Sequence, residues 1–225
     1  MIKIMKYGEI SEDEIFARVT PQFDVSGIVS GILADVKANG DKALLSYTEK
    51  FDGAKLDSLA VTKEEIDEAL GLVEPEFLKI LKTAAENITK FHKLQVRKPF
   101  VIDEGNGVIM GQKITPVDAA GLYVPGGTAA YPSTVLMDAI PAKIAGCPEV
   151  VMVTPPNAEG KINPVILAAA SIAGVDKIFK VGGAQAVAAL AYGTESVPKV
   201  DKSWAPAMPS WRRRKSRSSA GCPST

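Results

Sequence analysis

Residues 120–135, AGLYVPGGTAAYPSTV, read with 149–154, EVVMVT, and 177–187, KIFKVGGAQAV, decide the fold. Ala120 to Val124 is a short apolar strand, and Pro125 to Pro132 is a loop rich in glycine and proline. Ser133 or Thr134 is the expected cap of a helix that runs through Ile144 and ends at Gly146. Glu149 to Thr154 reads as a buried strand, with VVMV at its centre. Asn163-Pro164 joins a capping side chain to a proline at the first helical position, and that helix ends at Ala173-Gly174. Lys177 to Val181 is a third strand, and Gly182-Gly183 leads into the helix AQAVAALAYG. The strand starts recur at about the 30 residues of a strand–helix–strand unit. Right-handed crossovers make of them a parallel sheet covered on both faces. The expected class is α/β, half of a doubly wound nucleotide-binding architecture.

Upstream, the first 110 or so residues read as mostly helical. Apolar residues at Val25, Ile28, Val29, Ile32, Leu33 and Val36 have helical spacing, and Asn39-Gly40 stops that helix. Asp41 opens the next one, which Asp52-Gly53 closes. Thr62 and Glu65 have the spacing of a capping box. Pro75 begins a long helix with Phe77, Ile80, Leu81, Ala84, Ile88, Phe91 and Gln95 along one stripe. The division this suggests is a mainly helical segment over 1–112, a nucleotide-binding half-domain over 113–202 and an aberrant, disordered tail over 203–225.

The 225 residues include 26 basic and 26 acidic side chains and are 46% hydrophobic, which suits a chain with a real core and excludes a disordered one. No apolar run approaches the roughly 20 residues of a membrane span. The start, MIKIMKYGEISEDE, lacks the apolar stretch of a secretory leader, so a cytoplasmic location is expected. The neutral total hides an asymmetry. From Ser203 onward there are five basic residues and no acid, leaving 21 basic and 26 acidic residues in 1–202. Such a tail would suit nucleic acid or an acidic membrane if it were a designed surface.

Two strand–glycine–helix junctions are the candidate binding elements. Gly126 and Gly127 allow close backbone approach, and the helix after them offers free N–H groups to a phosphate or pyrophosphate. The loop is neither G-x-G-x-x-G nor a Walker A sequence, so a tight structural turn explains it equally well. Tyr123 sits at the end of its strand, facing the crevice where ligands bind in open α/β sheets. Gln185 is a polar residue in the first turn of an apolar helix, with an amide able to meet a sugar or base. Each also has a plain reading, Tyr123 as core and Gln185 as a satisfied helix-end amide. His92, the one histidine, lies beside a scaffold stripe, and Cys147 reads as a small buried filler. Asp52, Asp103, Glu104 and Asp118 show no acid–base spacing, and no residue set has the makings of a zinc site.

The blocks GLYVPGGTAAYPSTVLMDAIPAKIAG (121–146), VVMVTPP (150–156) and KVGGAQAVAALAYGTESVPKVDK (180–202) closely resemble histidinol dehydrogenase. VKANGDKALLSYTEKFDG (36–53) and ITKFHKLQ (88–95) do so too. The resemblance implies incomplete Rossmann-like domains related to the aldehyde dehydrogenase architecture, in an intertwined homodimer. It implies oxidation of L-histidinol through the aldehyde to L-histidine, the last step of histidine biosynthesis, with zinc and two NAD⁺. Tyr123 and Gln185 fall on NAD-contacting positions of the family. The zinc ligands, the proton-handling Glu-His pair and the histidinol contacts belong to a later half, so this sequence offers no catalytic and no metal residue. Family members are about twice as long as this chain.

A third NAD contact of the family is an asparagine in IVGPGN, expected straight after Lys202, where SWAPAM stands instead. Joining the last base of each codon to the first two of the next turns Ala205 into Gly and Pro209 into Ala, because Trp204 and Met208 have single codons. I-V-G-P-G-N-A then fits all of 203–209. The expectation is a frameshift near codon 202, an out-of-frame tail that is no nucleic-acid patch, and a chain inactive by itself. The rival reading is a non-catalytic nucleotide-binding or interaction fragment with a functional basic tail.

Overall fold

The computed structural model describes residues 8–11, 26–126 and 130–204. Helix α1 (Ser26–Asp52) is followed by α2 (Lys63–Leu72), α3 (Pro75–Lys93) and a hairpin of β1 (Phe100–Asp103) and β2 (Ile109–Gln112). Then come β3 (Ala119–Tyr123), α4 (Pro132–Ile144), β4 (Glu149–Thr154), α5 (Pro164–Ala173), β5 (Lys177–Lys180), α6 (Gly183–Tyr192) and β6 (Lys202–Trp204).

Strands β3 to β6 form one all-parallel sheet in the order β5-β4-β3-β6. Side chains alternate across it. Val150 and Met152 join α2, α3, α4 and α5 in one core, whereas Val151 and Val153 join α1 and α6 in the other. Burial on both faces explains why β4 reads as a continuous apolar run rather than an alternating one.

Several local expectations hold. Thr62 and Glu65 make both bonds of a capping box at the start of α2. Asn163 caps α5 through Val165 N–H, Pro164 takes the first helical position, and Gly174 ends the helix in the left-handed region. Helix α1 is two helices broken at Gly40, whose φ is 50°. Glu195 packs against the break: a Cβ on Gly40 would lie 2.2 Å from its carboxylate. That carboxylate accepts the Asp41 N–H, while the Asp41 carboxylate accepts from Ser196 N–H and hydroxyl. Asp41 thus opens its helix by clasping a distant loop.

Other expectations need correction. Neither Ser133 nor Thr134 caps α4. Tyr131 is the N-cap and Pro132, which has no N–H to satisfy, takes the first turn. The α3 stripe is only partly used: Leu81 is buried, but Ile80 and Phe91 are exposed. Residues 100–112, read as part of a mostly helical region, form the β1–β2 hairpin, every residue of which is exposed. Two β-branched runs flanking Glu-Gly-Asn-Gly were the signal for it. Ser203 and Trp204, expected in the disordered tail, lie in β6, pairing with Gly121 and Leu122. Backbone pairing on an open parallel edge tolerates these side chains, and Trp204 packs on the core. Residues 205–225 lie outside the described part.

Candidate functional site

The chain adds β4 and β5 on one side of β3, then returns to place β6 on the other. The reversal falls between β3 and β6, and in open α/β sheets ligands bind outside the carboxyl ends at such a point. Tyr123 is the last residue of β3 and borders it.

Tyr123 and Gln185 come together through Gly183. The Gly183 N–H donates to Tyr123 Oη at 3.2 Å, tying the end of β3 to the first residue of α6. Gly183 adopts a φ of 64°, which favours glycine, and a Cβ there would lie 2.6 Å from Gln185 Oε1. The Gln185 side chain is therefore folded against the junction backbone, and the residue is only 1% exposed. Its Oε1 is buried and has no hydrogen-bond partner among the described residues. A buried polar atom without a partner is costly and calls for an explanation.

Three helices start at this edge of the sheet. Helix α5 is closed to anions, because Asn163 takes the Val165 N–H and Pro164 has none. Among the described residues no side chain caps α4 or α6, but Pro132 has no N–H and the Gly183 N–H is taken by Tyr123 Oη, so what these two starts offer an anion is their partial positive charge.

The glycines have a second task that sequence reading missed. A Cβ on Gly126 would lie 2.4 Å from Pro155 Cγ, and one on Gly182 would lie 2.6 Å from Pro155 Cβ. Pro155, just past β4, is held between the two glycine junctions. The TPP triplet at the strand end was the available signal. Beside this proline a cleft of about 470 Å³ opens, lined by Gly126, Thr154, Pro155, Asn157, Lys161 and Asn163 among others. Tyr123 and Gln185 do not line it. Gly127 lies outside the described residues.

His92 Nδ1 is paired with Gln95 Oε1 at 2.7 Å. Burial pushes the Cys147 thiol up, away from the reactive thiolate. Asp103 and Glu104 turn onto their own hairpin tip. Among the described residues, no group of three or more His, Cys, Asp or Glu side chains could hold a metal, so zinc has no fitting ligand set there. Sequence reading also passed over Lys180, buried at the end of β5 and paired with Glu65 of the capping box.

A profile of the histidinol dehydrogenase family matches residues 17–207. The chain belongs to the histidinol dehydrogenase family. It is 50% identical over 207 residues to histidinol dehydrogenase of Clostridium acetobutylicum, a match covering 90% of this chain and 48% of that protein. The corresponding protein of Geobacillus kaustophilus is 54% identical over 178 residues, or 79% of this chain and 42% of its own length. The crystal structure of histidinol dehydrogenase from Elizabethkingia anophelis superposes with a TM-score of 0.86 at 39% identity, over 90% of this chain and 47% of that one. The chain spans about half the length of the histidinol dehydrogenases it matches. It shares with the family a parallel sheet flanked by helices.

Proposed function

We propose that this chain carries the dinucleotide-side residues of a histidinol dehydrogenase, an NAD-dependent oxidoreductase of histidine biosynthesis. The observation that carries the reading is Gln185 Oε1, buried without a partner among the described residues beside the uncapped start of α6. The carboxamide, the adenine amino group or a ribose hydroxyl of NAD would give that atom its missing donor. Tyr123 would hold the Gly183 junction in place and border the same ligand. The starts of α4 and α6, with their partial positive charge, suit the pyrophosphate. The strand order fits an incomplete Rossmann-like domain of aldehyde-dehydrogenase-like type.

The reaction proposed for the whole protein takes L-histidinol to L-histidine through two oxidations. Bound NAD⁺ supplies the hydride acceptor for each, and one water enters at the aldehyde stage. Orienting such a transfer needs the reacting carbon against the nicotinamide and a base within reach. Tyr123 and Gln185 bind and orient, and no described residue is placed to take the proton. We therefore assign no catalytic residue and no zinc ligand here, and expect no turnover from this chain alone. A cytoplasmic homodimer is the assembly we propose, on the resemblance.

The out-of-frame tail belongs to the same reading. β6 stays in register because Asp201 exchanges backbone and side-chain bonds with Ala119, but the block that should follow Lys202 is replaced. One wall of the crevice is then altered, and NAD binding by this chain is weak. The family match over 17–207 does not favour the rival interaction fragment. Resequencing the source DNA across codons 195–215 tests the frame. Restored I-V-G-P-G-N-A followed by histidinol-dependent NADH formation would support the proposal, and NADH formation by the present chain would contradict it.

A further inference from the structure

The geometry points to Pro155 as a positioning residue that sets the spacing of the two glycine junctions, and with it the meeting of Tyr123 and Gly183. The inference rests on the dinucleotide reading. Pro155 follows the central strand β4, and its ring is wedged between the junction after β3 and the junction after β5. Neither glycine is there for its backbone conformation: Gly182 has a φ of −117°, open to any residue. Both are there for space. Close packing turns that space into a ruler, since interiors transmit displacement rather than absorb it.

The wedge is asymmetric atom by atom. A Cβ placed on Gly126 would meet the ring, Cγ at 2.4 Å and Cδ at 3.2 Å, with Pro155 O also at 3.2 Å. One placed on Gly182 would meet Pro155 Cβ first, at 2.6 Å, then Cγ and Cδ at 3.1 and 3.3 Å. Replacing Pro155 by alanine removes Cγ and Cδ but keeps Cβ. The clash made by Gly126→Ala would then be relieved to an ordinary tight contact, while that made by Gly182→Ala would remain.

The test is a pair of double-mutant cycles in the full chain. Two readouts are taken on folded protein: NAD⁺ affinity by saturation-transfer NMR, and the hydrogen-exchange rate of the Gly183 amide. Gly126→Ala and Gly182→Ala should each speed Gly183 exchange and weaken NAD⁺ binding roughly tenfold, the equivalent of one good contact. Adding Pro155→Ala should restore most of both losses with Gly126→Ala and neither with Gly182→Ala. Rescue of both, rescue of neither, or NAD⁺ affinity that ignores all these variants would overturn the inference. Should the unaltered chain bind no NAD⁺, the dinucleotide reading falls. The rescue pattern at the Gly183 amide then decides the spacing role by itself. A glycine variant that fails to fold is replaced by Pro155→Ala alone, which must speed Gly183 exchange.

Discussion

Tyr123 Oη accepts the backbone N–H of Gly183 at 3.2 Å, a bond across 60 residues that joins the first parallel strand to the last helix. It uses a phenol at a strand end to satisfy one of the N–H groups that a helix start leaves open. Tyr123→Phe keeps the ring and removes the acceptor. Urea unfolding should show a loss of about 1 kcal/mol, the usual net worth of such a bond. Unchanged stability would mean that water satisfies Gly183 equally well.

Gln185 should trade stability for binding. Its Oε1 is buried without a partner among the described residues, so Gln185→Met, similar in shape and without the carbonyl, should raise stability by about 1 kcal/mol. The same change should remove NAD⁺ binding. A destabilised variant would show that the amide has a structural partner after all.

Glu65 links the α2 cap to the sheet, one carboxylate oxygen on Thr62 N–H and the other on the buried Lys180. Thr62→Ala should cost about 1 kcal/mol, as lost caps do. Glu65→Ala should cost on the order of 3 kcal/mol, because it strands a buried ammonium. Equal losses, measured by denaturant unfolding, would mean that the ion pair contributes nothing beyond the cap.

Much of this was legible from local pattern. Buried β4, the Asn163-Pro164 start and the Gly174 stop follow from rules that involve only neighbours in the chain. Tyr123 and Gln185 could be singled out the same way, by position on a strand end and in a first helical turn. Their meeting at Gly183 could not, because it depends on where β5 lies beside β4. The Pro155 wedge and the Asp41–Glu195 clasp were hidden for the same reason, both being contacts between residues far apart in sequence. The hairpin was missed by following helical periodicity past α3, although its own alternation had changed.

Asp52 should make stability depend on pH. Burial holds its carboxyl above the ordinary 3.8, and its Oδ2 has no partner among the described residues. The folded chain then holds this proton more tightly than the unfolded one. The contribution is most favourable below 3.8 and is lost as pH rises through the folded value. Asp52→Asn should be the more stable protein at neutral pH, with the gap closing as pH falls towards 3.8 in urea titrations. A gap independent of pH would place the effect elsewhere.

The most direct measurement is NAD⁺ binding by saturation-transfer NMR, comparing the chain with its Gln185→Ala variant at matched folded concentration. The account predicts weak but saturable transfer to the dinucleotide in the former and its loss in the latter. Transfer absent from both, or unchanged by the substitution, would contradict the placement of the cofactor at Gln185.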